Sequence, residues 1–318
     1  MNVLVPLNNI EHIDDYIQAG AKEFYIGFYD EAWHELFGEY ADINRLTGFK
    51  KNANPYNFEE VLGIIDCVKE KDVQIYVTFN ASTYNQRQLD YIEGYFERLK
   101  STHFDGVIVS CAELVELAKK VGVPAVISTI AGIYNVDMVK YYCNLGAKRV
   151  ILPRDLSTKE IEEIVTQYPN VEYEVFMMRN GCRFSDAHCL GFHRSEKPSI
   201  CAGIGLAGRN LMVENKGFME RHNVELNDIV YTQDFHNQTC GLCSLYRFVK
   251  LGINAGKIVG RSDEWQNICD DIHLINENVK LARKCQTEEE FLEHMQFPNG
   301  HEVLCKMGLS CYYPEIRF

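Results

Sequence analysis

Five cysteines gathered in one stretch are the residues of this chain best suited to do chemistry. They follow a long region of regular hydrophobic pattern and stand among His, Arg, Gly and Asn. Thiolates bind zinc in tetrahedral sites and hold iron–sulfur clusters. Irregular loop segments seldom bury isolated thiols, so we interpret four of the five as metal ligands. These four are Cys182, Cys189, Cys201 and Cys240, and Cys243 forms a Cys-Gly-Leu-Cys with the last of them.

The other cysteines of the twelve have different settings. The last segment holds Cys305 and Cys311, which could join Cys240 and Cys243 in a second or alternative site. The rest lie on predicted helices, at strand ends or just before the last segment, where free cysteine is commonly a small buried hydrophobe. They are Cys67, Cys111, Cys143, Cys269 and Cys285.

The composition indicates a globular protein of a reducing compartment. Hydrophobic residues make up 46% of the chain and charged residues 24%, which excludes disordered and collagen-like classes. With 32 basic and 45 acidic residues the net charge is -13, which disfavours a nucleic-acid partner without excluding it. We find no signal peptide and no apolar run of membrane-spanning length, and therefore expect a cytoplasmic location. In such a compartment clustered cysteines are more often ligands or catalysts than disulfides.

Short apolar runs alternate with amphipathic stretches through the first 178 residues, in seven strand-then-helix steps. An eighth strand, Gly256 to Val259, and a long amphipathic helix follow the cysteine-rich stretch. Eight steps predict a (β/α)8 TIM-like barrel, with an open doubly wound sheet as the rival. We expect one barrel domain over residues 1–285, including a Cys-rich loop insertion at 179–240 after strand seven. Residues 286–318 would form a C-terminal tail packed on the barrel.

The insertion leaves the end of strand seven, which is the face where barrel enzymes carry their active sites. His188 and His193 flank Cys189 and are weak candidates for proton transfer or metal binding, against the interpretation of solvent-facing loop histidines. The chain has neither a Gly-x-Ser-x-Gly elbow nor a His-Glu-x-x-His helix. A thiol peptidase that pairs Cys182 with one of the two histidines stays open.

Several segments, in the same order along the chain, resemble the collagenase-like peptidase family, the U-thirty-two peptidases. The resemblance covers roughly residues 2–265. It is carried by an early Leu-Val-Pro strand and Ala-Gly-Ala turn, and by three later segments. These are Val-Gln-Ile-Tyr-Val-Thr-Phe-Asn at 73–80, Leu-Pro-Arg-Asp-Leu-Ser at 152–157 and Ala-Gly-Lys-Ile-Val-Gly-Arg at 255–261.

The cysteine spacing is similar to that of the iron–sulfur members involved in oxygen-independent hydroxylation. In those members six residues separate the first two ligands and the last two are far apart, as here. The resemblance implies a [4Fe–4S] cluster, with zinc as the less favoured alternative, on Cys182, Cys189, Cys201 and Cys240. Two family signatures differ: His-Gly-x-x-Cys reads Met-Arg-Asn-Gly-Cys at 178–182, and Asn-Arg-Gly-x-Cys is absent before Cys201.

The resemblance also implies an anionic, prephenate-like oxygen donor. Arg154 at the end of strand six, with Lys257 and Arg261 at strand eight, would bind it, because a guanidinium pairs with a carboxylate through two hydrogen bonds. The competing interpretation pairs the arginines with loop acids such as Asp155 or Asp263.

Three hypotheses for function follow. The first is an iron–sulfur barrel enzyme that performs oxygen-independent hydroxylation or related redox chemistry on a small molecule, with a small anionic molecule as the donor. The second is a peptidase, as the family name states. The third is a non-catalytic, cluster-bearing subunit that pairs with a homologous barrel or forms a homodimer. The net charge disfavours a nucleic-acid substrate. The resemblance keeps that possibility open, because relatives hydroxylate ribosomal or transfer RNA.

Overall fold

Eight parallel strands close into a barrel in which each strand pairs with the next along the chain and the last pairs with the first. The predicted TIM-like barrel is therefore confirmed, and the open doubly wound sheet is wrong. The strands are β1 Asn2–Pro6, β2 Glu23–Ile26, β3 Gln74–Phe79, β4 Gly106–Val109, β5 Ala125–Ile127, β6 Ala147–Ile151, β7 Glu172–Met178 and β8 Ala255–Ile258.

The chain is seen here in a computed structural model. The residues it describes are 1–38, 41–45, 53–182, 185–189, 238–298, 300, 303, 305 and 310–316. Two of the residues singled out from the sequence, His193 and Cys201, lie outside these ranges.

Helices cover the outside of the barrel, and several begin where the sequence supplies its own cap. Asn57, Asn85 and Ser157 each accept a hydrogen bond from the third backbone N–H of the helix, and the Glu or Gln at that third position bonds back. Such reciprocal caps satisfy backbone N–H groups that a helix leaves open at its start. The helices are α1 Ile13–Ala19, α2 Glu31–Phe37, α3 Phe58–Val68, α4 Gln86–Lys100, α5 Ala112–Val121, α6 Val136–Leu145, α7 Thr158–Gln167, α8 Leu245–Leu251, α9 Trp265–Lys284 and α10 Glu288–His294.

An ion-pair network fills the barrel at the amino-terminal ends of the strands. Arg149 is 4% exposed, contacts the carboxylate of Glu23 and donates from Nε to Glu172 Oε2 over 2.7 Å. Its guanidinium also lies 5.1 Å from the ring centroid of Tyr76. This end of a barrel serves stability, so the chemistry is expected at the other end.

Two segments outside the regular β/α pattern reach the opposite end, which we call the mouth. The insertion after β2 contains α2 and then returns, and Asn44 at its far side donates to the Phe28 carbonyl over 2.8 Å. The last segment places α10 against α8 and α9, and then brings residues 310–312 back to the end of β7.

The packing role expected of the helix cysteines is only partly realised. Cys285 is buried, but Cys67 is exposed, and Cys111, Cys143 and Cys269 are half-buried. Within the described ranges, none of the helices combines the length and apolar character needed to cross a membrane.

Candidate active site at the barrel mouth

A buried carboxylate joins two arginines at the centre of the mouth. Asp186, which lies between two of the predicted cysteine ligands, is completely buried. Its Oδ1 accepts from Arg45 Nη1 over 2.5 Å, and its Oδ2 accepts from Arg154 Nε over 2.6 Å. Burial alone would raise the pKa of Asp186, but the two guanidinium groups outweigh burial and hold the pKa well below its usual range.

Arg154 has further partners that fix its orientation. Its Nη1 donates to the Asn180 carbonyl over 2.7 Å, and its guanidinium lies 4.1 Å from the ring centroid of Phe176. Burial opposes the charge, yet Asp186 and other nearby groups raise the pKa of Arg154 above its usual value. The expectation of a loop carboxylate as partner is right in kind, but the partner is Asp186 rather than Asp155.

Lys257 lies deeper in the barrel and is also paired. Its Nζ donates to Glu174 Oε1 over 2.9 Å and stands 4.1 Å from the ring centroid of Tyr25. Burial lowers the pKa of this ammonium group, while Glu174 acts in the opposite direction. Within the described part of the chain the other oxygen of Glu174, Oε2, is buried without a hydrogen-bond partner.

Arg261 is buried, and its hydrogen-bond partners in the described part of the chain are all neutral groups. Its Nη1 donates to the amide oxygens of Asn54 over 2.5 Å and Asn44 over 3.3 Å, and its Nη2 donates to the Arg45 carbonyl over 2.6 Å. Among the described residues no carboxylate lies within ion-pair distance of it. Burial lowers the pKa of Arg261 to about 10, and the charge of Arg45 acts in the same direction.

The Asn-rich insertion is shaped around this guanidinium. Gly27, at the end of β2, has no side chain to obstruct the approach: a Cβ there would stand 2.1 Å from Asn54 Oδ1 and 2.4 Å from Arg261 Nη1. Asp263, on the rim, is half-buried and accepts from the Asn180 side chain over 2.9 Å. Among the described residues, the mouth thus holds four cations, of which Arg45 is partly exposed, against two buried carboxylates, which leaves an excess of positive charge.

A tight turn at the end of β7 directs the chain toward the first predicted ligand. Arg179 and Asn180 both adopt left-handed backbone conformations, with φ of 65° and 47°. Asn tolerates this region better than most residues, whereas Arg there is uncommon. Arg179 stands where the family signature has Gly, and its ion pair with Asp271 secures it in the strained position.

Three of the predicted cysteine ligands lie in the described ranges, and they are brought to the mouth from two sides. Cys182 and Cys189 are half-buried, and Arg45 Nη2 donates to Cys189 Sγ over 3.7 Å. Cys240 is 7% exposed and pairs with Met178 in an antiparallel bridge at the end of β7. The Gly181 N–H donates to Thr239 Oγ1 over 3.2 Å, so the residues preceding Cys182 and Cys240 are in contact.

The thiol of Cys240 also has neighbours on its other side. Burial raises the pKa of this thiol well above its usual value, and Cys243, Cys305 and Asp271 act in the same direction. Among the described residues, no three His, Cys, Asp or Glu side chains already surround one point as a metal ion would require. His188 is exposed, in agreement with a solvent-facing loop histidine.

Sequence reasoning missed the residues that organise the cations. Arg45, Asn44 and Asn54 come from the insertion after β2, and Asp186 comes from the Cys-rich loop. The unusual density of Asn in the insertion was the available signal, because amide oxygens are suited to accept from a buried guanidinium.

A closed parallel barrel with buried cations and cysteines at the carboxyl ends of its strands defines a TIM-barrel-like protein with its candidate site at the mouth. The sequence profile of peptidase family U32 matches residues 8–297, and the chain therefore belongs to that family.

Curated relatives carry two kinds of name. The chain is 26% identical to tRNA hydroxylation protein P1 of Bacillus subtilis, over 63% of this chain and 44% of the relative. It is 30% identical to tRNA hydroxylation protein P of Escherichia coli, over 43% of this chain and 30% of the relative. It is 22% identical to the collagenase of Porphyromonas gingivalis, over 51% of this chain and 35% of the relative. The chain thus spans less than half the length of these relatives.

Proposed function

We propose that this barrel acts in oxygen-independent hydroxylation or related redox chemistry, with a small prephenate-like dicarboxylate as the oxygen donor. The observation that carries the proposal is Arg261, a buried guanidinium that has no carboxylate partner among the described residues, in a mouth where the described charges are in positive excess. An isolated buried charge costs several kcal/mol. A carboxylate that entered beside Arg261 would supply the missing negative charge.

The cations predicted to bind the donor have unequal parts in this proposal. Arg154 and Lys257 already hold Asp186 and Glu174, so they contribute mainly positive potential around the donor. Among the described cations of the mouth, Arg261 is the one without a carboxylate partner, and it would make the direct contact with one carboxylate of the donor. Asn44 and Asn54 would keep its guanidinium in place, since both amide oxygens accept from Nη1.

The proposal includes a [4Fe–4S] cluster on Cys182, Cys189, Cys201 and Cys240, which would supply electron transfer when bound. The donor set is suitable in chemistry, because the cluster is held by Cys thiolates. The contact of Gly181 with Thr239 supports the assignment, as it holds the chain before Cys182 against the chain before Cys240. Arg45, which donates to Cys189 Sγ, would add positive charge beside a ligand and so raise the reduction potential.

Binding of the donor can be measured by calorimetry on the anaerobically purified full chain. We expect prephenate and simple dicarboxylates to bind, and acetate to bind much more weakly. Arg261→Lys keeps the charge but loses the planar donors, so the affinity should fall about tenfold or more. Arg98→Lys is the matched control, because Arg98 pairs with Glu59 on the surface.

Equal affinity of the wild type and Arg261→Lys for the dicarboxylates would contradict the donor site. A colourless protein after anaerobic iron–sulfur reconstitution would contradict the cluster. Cleavage of casein or gelatin that survives substitution of Cys182 and Cys189 would favour a peptidase with a different catalytic centre. Co-purification with a second barrel protein, without activity of either alone, would favour the subunit hypothesis.

A further inference from the structure

A second group of thiols lies beside the mouth and is assembled from two distant parts of the chain. Cys240 and Cys243 lie at the start of the segment that leads into α8, and Cys305 and Cys311 come from the last segment. The Cys240 N–H donates to the Ser310 carbonyl over 2.9 Å, and the Tyr312 N–H donates to the Cys240 carbonyl over 3.0 Å. This parallel bridge makes Cys240 and Cys311 direct partners.

Partner residues of a β-bridge project to the same face, so the bridge places two thiols side by side. Cys305 reaches the same place, since its thiol and that of Cys311 are hydrogen-bonded. Cys240, Cys243 and Cys305 are each more than nine-tenths buried. Cys243 acts electrostatically on Cys240 and on Cys311, so four thiols of a single chain lie near one another at the end of β7. Sixty-one residues separate Cys243 from Cys305.

The chemistry of this group is unfavourable for thiolates in the absence of a cation. Burial and the proximity of the other thiols both disfavour the charged form of each thiol. A bound metal ion reverses this, because it stabilises the deprotonated form and releases the thiol protons to solvent. Packing alone does not require four thiols to meet, since any small apolar residue would fill the same space.

We propose that Cys240, Cys243, Cys305 and Cys311 form a four-thiolate site for Zn²⁺ that fastens the last segment of the chain to the barrel mouth. Four cysteines in two closely spaced pairs are a donor set of closed structural zinc sites, with Zn–S distances of about 2.3 Å. The four thiols do not already surround one point. Binding would therefore require rotation of the thiols about their Cα–Cβ bonds.

The inference shares one residue with the proposed hydroxylation, because Cys240 belongs to both thiol sets. In a chain that holds both centres, the Cys240 thiolate would have to bridge the zinc ion and the cluster. Three thiols, Cys243, Cys305 and Cys311, are particular to the zinc site. Cys182 and Cys189 are particular to the cluster set. A test that leaves Cys240 unchanged and replaces the other cysteines therefore distinguishes the zinc site from the cluster.

The test measures zinc, iron and sulfide per chain in the anaerobically purified full-length protein grown with both metals. The wild type is expected to hold about one zinc ion per chain. Cys305→Ser and Cys311→Ser should lower it to near zero and leave the iron and sulfide content unchanged. Cys182→Ser and Cys189→Ser should keep the zinc, whatever they do to iron. Cys269→Ser is the matched control, because Cys269 is a half-buried cysteine on α9 that takes no part in the group.

A second measurement guards against misfolded variants. Co²⁺ added to the zinc-free wild type should give the intense visible absorption and thiolate charge-transfer bands of tetrahedral sulfur coordination, and the Cys305→Ser protein should not. Far-UV circular dichroism should show that this variant retains its barrel. Zinc retained by a triple Ser variant of Cys243, Cys305 and Cys311 would overturn the inference, as would loss of iron rather than zinc from Cys305→Ser. Failure of the wild type to bind either Zn²⁺ or Co²⁺ would overturn it too.

Discussion

Asp186→Asn tests whether the mouth is held together by one carboxylate. The substitution keeps the size of the side chain and removes its charge, which leaves Arg45 and Arg154 without their shared anion. Breaking a buried ion pair by removing one partner costs about 3–5 kcal/mol. The side chain is completely buried and contacts the two arginines over 2.5 and 2.6 Å, so we expect the upper half of that range. For an m value of about 3 kcal/mol/M the urea midpoint would fall by about 1 M or more.

The assay is urea unfolding followed by tryptophan fluorescence, for which Trp33 is a fully buried reporter. Added sulfate or a dicarboxylate should stabilise Asp186→Asn more than the wild type, since the two arginines would then bind the anion. At an anion concentration of 100 times the Kd, the free energy of unfolding would rise by about 2.7 kcal/mol. Glu93→Gln serves as control, because Glu93 pairs with Lys120 at the surface and its loss should change the midpoint little.

The pH dependence has a defined sign. The folded pKa of Asp186 lies below the unfolded value. The stabilisation that its carboxylate gives to the fold is therefore complete above about pH 5, and it is lost as the pH falls through the ordinary aspartate range and below. The asparagine variant should lack this loss. Equal midpoints for the two proteins, or equal stabilisation of both by anions, would refute the idea that Asp186 neutralises the arginines.

Three further predictions concern nearby residues. Gly27→Ala should displace the Arg261 guanidinium, destabilise the fold by about 1–3 kcal/mol and weaken dicarboxylate binding in calorimetry. Gly181→Ala places a Cβ 2.2 Å from Thr239 Oγ1, so hydrogen exchange should quicken in the β7 exit while β3 and β4 stay protected. Burial raises the pKa of Asp271 to about 6. Because its folded pKa then exceeds the unfolded one, the free energy of unfolding should fall by about 3 kcal/mol as the pH rises from roughly 4 to 6. Urea titrations at several pH values would measure this loss, and Asp271→Asn should remove it.

The barrel was predictable because its signal is local. Each β/α step shows its own change from short apolar runs to helical periodicity, and caps such as Asn85 and Ser157 mark the helix starts. The prediction of a strand from Gly256 to Val259, against Ala255–Ile258 in the structure, shows how closely such runs define an element.

The arrangement of the mouth was less predictable because it depends on pairs far apart in the chain. Arg45 and Asp186 are separated by 141 residues, and no periodicity links a loop arginine to a loop aspartate. Arg154, Lys257 and Arg261 could be assigned to the mouth from their strand ends. The sequence did not show which of these three cations would lack a carboxylate partner among the described residues. That depends on the insertion after β2, whose sequence has no regular hydrophobic pattern.

The bridge between Cys240 and Cys311 has a consequence for biosynthesis. All eight strands precede residue 259, so the sheet can close before residues 310–312 have been synthesised. Until then the Cys240 backbone lacks the Ser310 carbonyl and the Tyr312 N–H that it binds in the folded chain. A ribosome paused before residue 310 would therefore carry a closed barrel with an unfinished mouth, and any metal that needs the late thiols would enter after the barrel itself has formed.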